Sequence, residues 1–304
     1  MSCPSKPLAL FHPKHWPMWL GIGLLRLMIL LPWRSQLALG RWMGRAAFIF
    51  LPERRHIVRV NLELCFPDQT AEERSALMRR HYEAVGIGLF ETGMAWWAGR
   101  GKLPRFEIRG AEHLEKAREG GRGVILFTAH FTTLEICGRM FSDVMQMGGL
   151  FRDPDNPVAA WQMHRGRLDK MTVAVPMDDL RGLIRALKQG HTMWYAPDQG
   201  KNSKLSFLLP FFGVPAITNT ATSRLAKMTG AAVVPYFARR LEDGSYLLEI
   251  FPELDGFPTE DAHADAVRTN LIIEENIRKA PEQYFWVHRR FKRRGKELPD
   301  VYKK

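Results

Sequence analysis

Residues 121–135 read Gly-Arg-Gly-Val-Ile-Leu-Phe-Thr-Ala-His-Phe-Thr-Thr-Leu-Glu. The apolar run 124–128, entered through glycines and left through polar residues, has the pattern of a strand buried on both faces. Thr132 followed three residues on by Glu135 is a capping-box signature, and it predicts a helix running through Ile136, Met140 and Phe141. His130 then falls in the strand-to-helix turn. On one helix, residues five apart would be rotated by about 140°, too far to cooperate. With His130 in the turn and Glu135 in the first helical turn, the carboxylate can accept from one imidazole nitrogen while the other faces an incoming hydroxyl. The same spacing also serves a plain helix start, with Glu135 as cap partner and His130 as a turn residue.

Outward from this stretch, strand and helix signals alternate. Strands are predicted at 124–128, 149–152, 172–175, 192–196, 232–238 and 246–251, and helices at 112–118, 134–145, 158–170, 180–188, 220–228 and 264–279. Such alternation predicts an α/β fold with a mixed central sheet flanked by helices. Ligands in such sheets lie beyond the carboxyl ends of strands, which directs attention to His130, Arg152 and Asp198. Upstream, 71–97 reads as one or two helices, with Gly86, Gly88 and Gly93 interrupting the pattern.

The N-terminal segment 16–31 is strongly apolar and ends at Pro32-Trp33. As a helix it reaches roughly 25 Å, short of a hydrocarbon core, and it contains Arg26. Three readings stand: a single span, a monotopic anchor in one leaflet with Trp16, Trp19 and Trp33 at the interface, or a buried core helix. No small-residue cleavage site follows, so it does not read as a signal peptide. Arg34, Arg41, Arg45, Arg54, Arg55 and Arg59 follow it, against Lys6 and Lys14 before it, which places the body on the cytoplasmic side. The expected organisation is an N-terminal membrane-anchoring helix within 1–33 and a globular domain over 34–304, with 46–51 packing beside the anchor or on the membrane.

The formal charge of +12 calls for an anionic partner, whether nucleic acid, acidic protein, anionic lipid or phosphorylated substrate. A hydrophobic content of 46% is enough for a sizeable core. Cys3, Cys65 and Cys137 have neither disulfide nor metal-ligand spacing, which suits a reducing compartment and gives Cys137 a packing role. No ligand cluster for a metal is present in the sequence.

Arg152 follows a strand and suits bidentate phosphate binding, while Asp155 or Asn156 caps the helix opening at Pro157. Asp198 orients an arginine or acceptor hydroxyls, or else forms an Asx turn. Phe211 and Phe212 are packing residues by default, or aromatics that help to admit an apolar ligand chain. The stretch 288–294, His-Arg-Arg-Phe-Lys-Arg-Arg, is basic with one aromatic. It is too short and unaccompanied to be a nucleic-acid motif, so anionic lipid or lipid phosphate is its expected contact.

The His130-x-x-x-x-Glu135 pattern resembles the motif of glycerolipid-type acyltransferases. A wider set of blocks resembles the bacterial late acyltransferases of lipid A biosynthesis: Phe11-His12-Pro13, Asn61-Leu62-Glu63-Leu64-Cys65-Phe66-Pro67, Glu91-Thr92-Gly93-Met94-Ala95-Trp96, Arg152 with Asp155-Asn156-Pro157, Tyr195-Ala196-Pro197-Asp198, Ala280-Pro281-Glu282-Gln283-Tyr284 and His288-Arg289-Arg290-Phe291-Lys292. These blocks cover nearly the whole chain. The resemblance implies a glycerolipid acyltransferase-like fold, His130 and Glu135 as the catalytic pair, and Arg152, Asn156, Arg167 and Asp198 as substrate-binding residues. It further implies an acyl carrier protein donor bearing its own phosphopantetheine, hence no separate cofactor. The implied acceptor is the 3-hydroxyacyl hydroxyl of Kdo-modified lipid IVA, lauroyl the implied chain, and the inner membrane with its phospholipid the location. Two alternatives remain: acylation of a lysophospholipid or other lipid, and a non-catalytic membrane or nucleic-acid binder.

Overall fold

The computed structural model describes residues 10–99, 101–200, 206–292 and 298–303. At its centre lies β2, Val124–Phe127, whose four side chains are all buried because both faces of the sheet are covered. Val124 and Leu126 face one apolar layer, and Ile125 and Phe127 the other. Around it run β1 (Phe106–Arg109), β3 (Gly148–Phe151), β4 (Ala174–Pro176), β5 (Thr192–Tyr195), β8 (Ala232–Arg240) and β9 (Tyr246–Ile250), in the order β1-β9-β8-β2-β5-β3-β4. All neighbours are parallel except β8 and β9, so the sheet is mixed as expected. A separate antiparallel hairpin, β6 (Ser206–Phe211) with β7 (Val214–Asn219), and the strand β1 escaped the sequence reading. Their alternation is short and partly exposed, a weak signal.

The helices begin with α1 (Trp16–Met28), α2 (Trp33–Phe50), α3 (Pro52–Cys65) and α4 (Ala71–Trp97). The sheet helices follow: α5 (Ala111–Ala117), α6 (Leu134–Val144), α7 (Pro157–Gly166), α8 (Leu180–Lys188), α9 (Ala221–Thr229) and α10 (Ala262–Lys279). The expected anchor is shorter than a span. The chain breaks after Met28, and Gln36 Nε2 donates to the carbonyls of Ile29 (3.0 Å) and Leu31 (2.8 Å), turning it into α2. Thirteen residues extend only about 20 Å. No described helix is long and apolar enough to cross a membrane. The single-span reading is thereby corrected, and so is the core-helix reading, because Trp16, Leu20, Leu24 and Leu27 are exposed along α1.

The glycines of 71–97 do not break a helix. A single α4 opens on a true capping box, Thr70 with Glu73, and Gly86 faces Gly40 and Gly44 of α2. A Cβ on Gly44 would lie 2.1 Å from the Tyr82 carbonyl oxygen, so these glycines let the two backbones touch. At the far end of the chain, Asn61 accounts for its block. Its amide donates to the carbonyls of Trp286 (2.7 Å) and His288 (2.9 Å), and its oxygen accepts from Tyr302 (2.6 Å). The basic run is likewise partly internal. Arg290 is buried against the Phe211 ring and donates to the Ile217 carbonyl at 2.6 Å, so it is a core residue rather than a headgroup contact. Residues 293 and 294, and the first part of the 201–209 loop, fall outside the described residues.

Candidate active site

The register of two strands builds the centre of the site. In the β2–β5 pair Phe127 lies opposite Tyr195, and the Thr128 amide donates to the Tyr195 carbonyl at 3.0 Å. Three residues beyond each strand stand His130 and Asp198. Asp198 Oδ1 lies 2.6 Å from His130 Nδ1, and Oδ2 accepts the His130 amide at 3.1 Å and the Tyr284 hydroxyl at 3.1 Å. The carboxylate is only 1% exposed and the imidazole side chain 27%. Among the described residues Nε2 has no hydrogen-bond partner, so it is the nitrogen left for a ligand. With Nδ1–H donating to Asp198, the lone pair of the neutral ring lies on Nε2.

The electrostatics follow from this contact. Burial disfavours the imidazolium, but the Asp198 charge and hydrogen bond outweigh it, and the His130 pKa is raised above 6.5 despite the opposing charge of Arg167. Burial likewise works against the Asp198 carboxylate. The His130 charge and hydrogen bonds reverse that, and its pKa lies below the ordinary value. Burial holds the Tyr284 phenol protonated, a permanent donor.

The expected pairing of His130 with Glu135 is therefore not the one observed. Nor is the capping box: the N-cap of α6 is Thr133, without a side-chain bond, and the Thr132 amide donates instead to the Gln283 carbonyl at 2.7 Å. The Glu135 carboxylate accepts from Trp96 Nε1 at 2.9 Å and lies 3.5 Å from the Arg167 guanidinium. These residues line a narrow crevice of only about 30 Å³ between α4, α6 and the end of α7, walled also by Leu134, Met147, Met171 and Trp194. Its largely apolar walls suit contact with an apolar ligand group at its mouth. Arg139 and Lys170 also reach it. Arg139 is matched by Asp143 at 2.8 Å, whereas Lys170 is held by the carbonyls of Ala95, Trp96 and Gly166. Burial and then the Arg139 charge lower the Lys170 pKa to about 8.

The remaining expected residues lie apart from this centre. Arg152 is exposed at the end of β3, without a carboxylate partner among the described residues. The Asn156 oxygen accepts from the amides of Val158 (2.9 Å) and Ala159 (3.2 Å), so it caps α7. Cys137 is buried and its thiol is pushed up by burial, consistent with packing. Phe211 and Phe212 are buried in the core. Sequence reasoning assigned no role to Trp96, Arg139, Lys170 or Tyr284. The i,i+4 spacing of Arg139 and Asp143 on α6 was a legible sign for one of them. Among the described residues, no group of His, Cys, Asp and Glu could hold a metal.

A histidine held by a buried carboxylate beside a cation-lined apolar crevice, at the carboxyl ends of sheet strands, has the form of a general-base acyl-transfer site. The family model for the bacterial lipid A biosynthesis acyltransferases matches residues 4–293, and the chain belongs to that family. It is 41% identical to the lipid A biosynthesis lauroyltransferase of Escherichia coli over 304 residues, 99% of each chain. It is 39% identical to the palmitoleoyltransferase of the same organism over 286 residues, 93% of each. A Haemophilus influenzae lipid A biosynthesis acyltransferase is 35% identical over 297 residues, 95% of each. Among solved structures, the Thermotoga maritima 1-acyl-sn-glycerophosphate acyltransferase is similar at a TM-score of 0.38 and 16% identity, covering 80% of this chain and 95% of that one.

Proposed function

We propose that this lipid A acyltransferase moves an acyl chain, lauroyl by likeness to its E. coli relative, from an acyl carrier protein thioester to a 3-hydroxyacyl hydroxyl of Kdo-modified lipid IVA. The observation that carries the mechanism is the 2.6 Å contact between His130 Nδ1 and the buried Asp198. It fixes the tautomer and leaves Nε2 as the base.

Nε2 takes the hydroxyl proton as the oxygen forms a bond to the thioester carbonyl carbon. Asp198 stabilises the imidazolium. Arg167, directed by Glu135, offsets the charge gathering on the carbonyl oxygen, and the carbon–sulfur bond then breaks. The departing thiolate recovers the proton from Nε2, so the reaction needs no added oxidant, reductant or co-reactant. Methylenes of the transferred chain run along the mouth of the crevice, against Leu134, Met171 and Trp194. Arg152 offers an exposed cation for a phosphate, and Asn156 contributes by starting α7. The exposed leucines of α1 lie in one leaflet of the inner membrane, within an anchor over 1–33, and the domain over 34–304 works on the cytoplasmic side.

The test is an assay of purified protein with lauroyl-carrier protein and Kdo-modified lipid IVA, beside lysophospholipid acceptors, read by lipid mass spectrometry. Wild type adds one acyl mass to the glycolipid, and His130→Ala abolishes the gain. Acylation of lysophospholipid alone would overturn the acceptor, and full activity in His130→Ala would overturn the mechanism.

A further inference from the structure

A second concavity of about 400 Å³ lies between α1, the end of α4 and α7, lined by Trp19, Trp96, Trp97, Trp161, Arg26 and Arg165. The Arg26 guanidinium lies over the Trp97 ring at 5.6 Å and Arg165 over Trp161 at 4.9 Å. Trp19 meets Trp161 edge-on at 5.7 Å, and Trp97 Nε1 donates to Gln162 at 3.3 Å. Among the described residues neither arginine has a carboxylate partner, and both are exposed. Two exposed guanidiniums placed over indole rings, without carboxylate partners among the described residues, suit the bidentate recognition of phosphate. The tryptophan faces offer apolar area for acyl chains.

This groove joins two other features. Trp96 and Gly166 line both it and the catalytic crevice, and Trp96 donates to Glu135 there. The helix that supplies Trp19 and Arg26 also exposes Trp16, Leu20, Leu24 and Leu27. The groove therefore lies between the apolar face of α1 and the crevice, with Trp96 and Gly166 as the wall they share.

We infer that the tryptophan–arginine groove is the binding site for the acceptor, a phosphorylated, multiply acylated disaccharide, with phosphate on Arg26 and Arg165 and an acyl chain directed past Trp96 to His130. The inference rests on the acyl-transfer reading for its choice of ligand. Membrane phospholipid carries the same phosphate chemistry, but the wall shared with the crevice favours the acceptor.

The experiment uses the full chain carrying His130→Ala in detergent micelles, titrated with Kdo-modified lipid IVA and with its dephosphorylated form and followed by tryptophan fluorescence. The phosphorylated form should bind about ten- to a hundredfold tighter, the size of a lost charge-assisted contact. Adding Arg26→Gln and Arg165→Gln should abolish that preference, and Trp161→Phe should reduce the fluorescence change. Sedimentation with vesicles of phosphatidylcholine and one-fifth phosphatidylglycerol should be unaltered by the arginine changes. Equal affinity for the two forms in the parent overturns the inference, as does a double variant that keeps the preference or loses only vesicle binding. Phosphate-selective binding in the variant together with no turnover by the wild-type protein would sink the acyl-transfer reading and leave the groove. Turnover without selectivity would do the reverse.

Discussion

At the residue scale the decisive contact is that of Asp198 with His130, and its pH consequence has a definite sign. In the proposed mechanism the base is the neutral imidazole, so turnover should be lost as pH falls through the His130 pKa, which lies above 6.5. Asp198→Asn removes the charge that raises it. The acid limb of kcat/KM should move to lower pH, while the rate on the plateau falls about a hundredfold or more as the tautomer is freed. A limb that stays in place would exclude Asp198 as the partner. Glu135→Gln should instead lower the rate with the limb little moved, because Glu135 touches Trp96 and Arg167. His81 gives a stability counterpart. It is fully buried, its Nδ1 donates to the Glu282 carbonyl at 2.9 Å, and burial lowers its pKa to about 4. The unfolded chain then binds the extra proton below pH 6.5, so stability present at neutral pH declines as pH falls from 6.5 toward 4, by about 3 kcal/mol. Melting temperatures measured from pH 7 to 4 should fall less steeply in His81→Asn, which keeps the donor.

At the element scale the contact of α2 with α4 depends on glycines that a propensity count scores as defects. Gly44→Ala or Gly86→Ala places a methyl 2.1 Å from a backbone oxygen of the facing helix, so the helices must separate. The cost should be about 1–3 kcal/mol or more. By contrast, Gly21 and Gly23 of α1 face open space. Alanine there should be neutral or stabilising by up to about 1 kcal/mol. Thermal melts followed by circular dichroism separate the two groups, and equal effects would refute the close-packing account.

At the scale of the whole molecule, exposed apolar side chains concentrate on two N-terminal helices: Trp16, Leu20, Leu24 and Leu27 on α1, and Trp42, Ile49 and Phe50 on α2. Soluble surfaces seldom carry so many large apolar groups together. Leu20→Glu with Leu27→Glu should release the protein from phosphatidylglycerol vesicles in a flotation assay while leaving the melting temperature within about 0.5 kcal/mol of wild type in stability terms. Retention on vesicles would remove α1 from the membrane contact.

The sequence by itself determined the alternating elements, the buried strand at 124–127, the turn that carries His130 and the set of residues worth examining beyond the strand ends. Those features arise from local periodicity and from turn and cap chemistry, which neighbouring residues specify. Which acid serves the histidine was decided only by tertiary structure. Glu135 lies five residues away along the chain, yet α6 turns it toward Trp96 and Arg167. Asp198 lies 68 residues away, yet the β2–β5 register brings it to 2.6 Å. The internal position of Arg290, the glycine contact of α2 with α4 and the tryptophan–arginine groove have the same origin. Each joins elements distant in the chain, and no local pattern encodes which faces will meet.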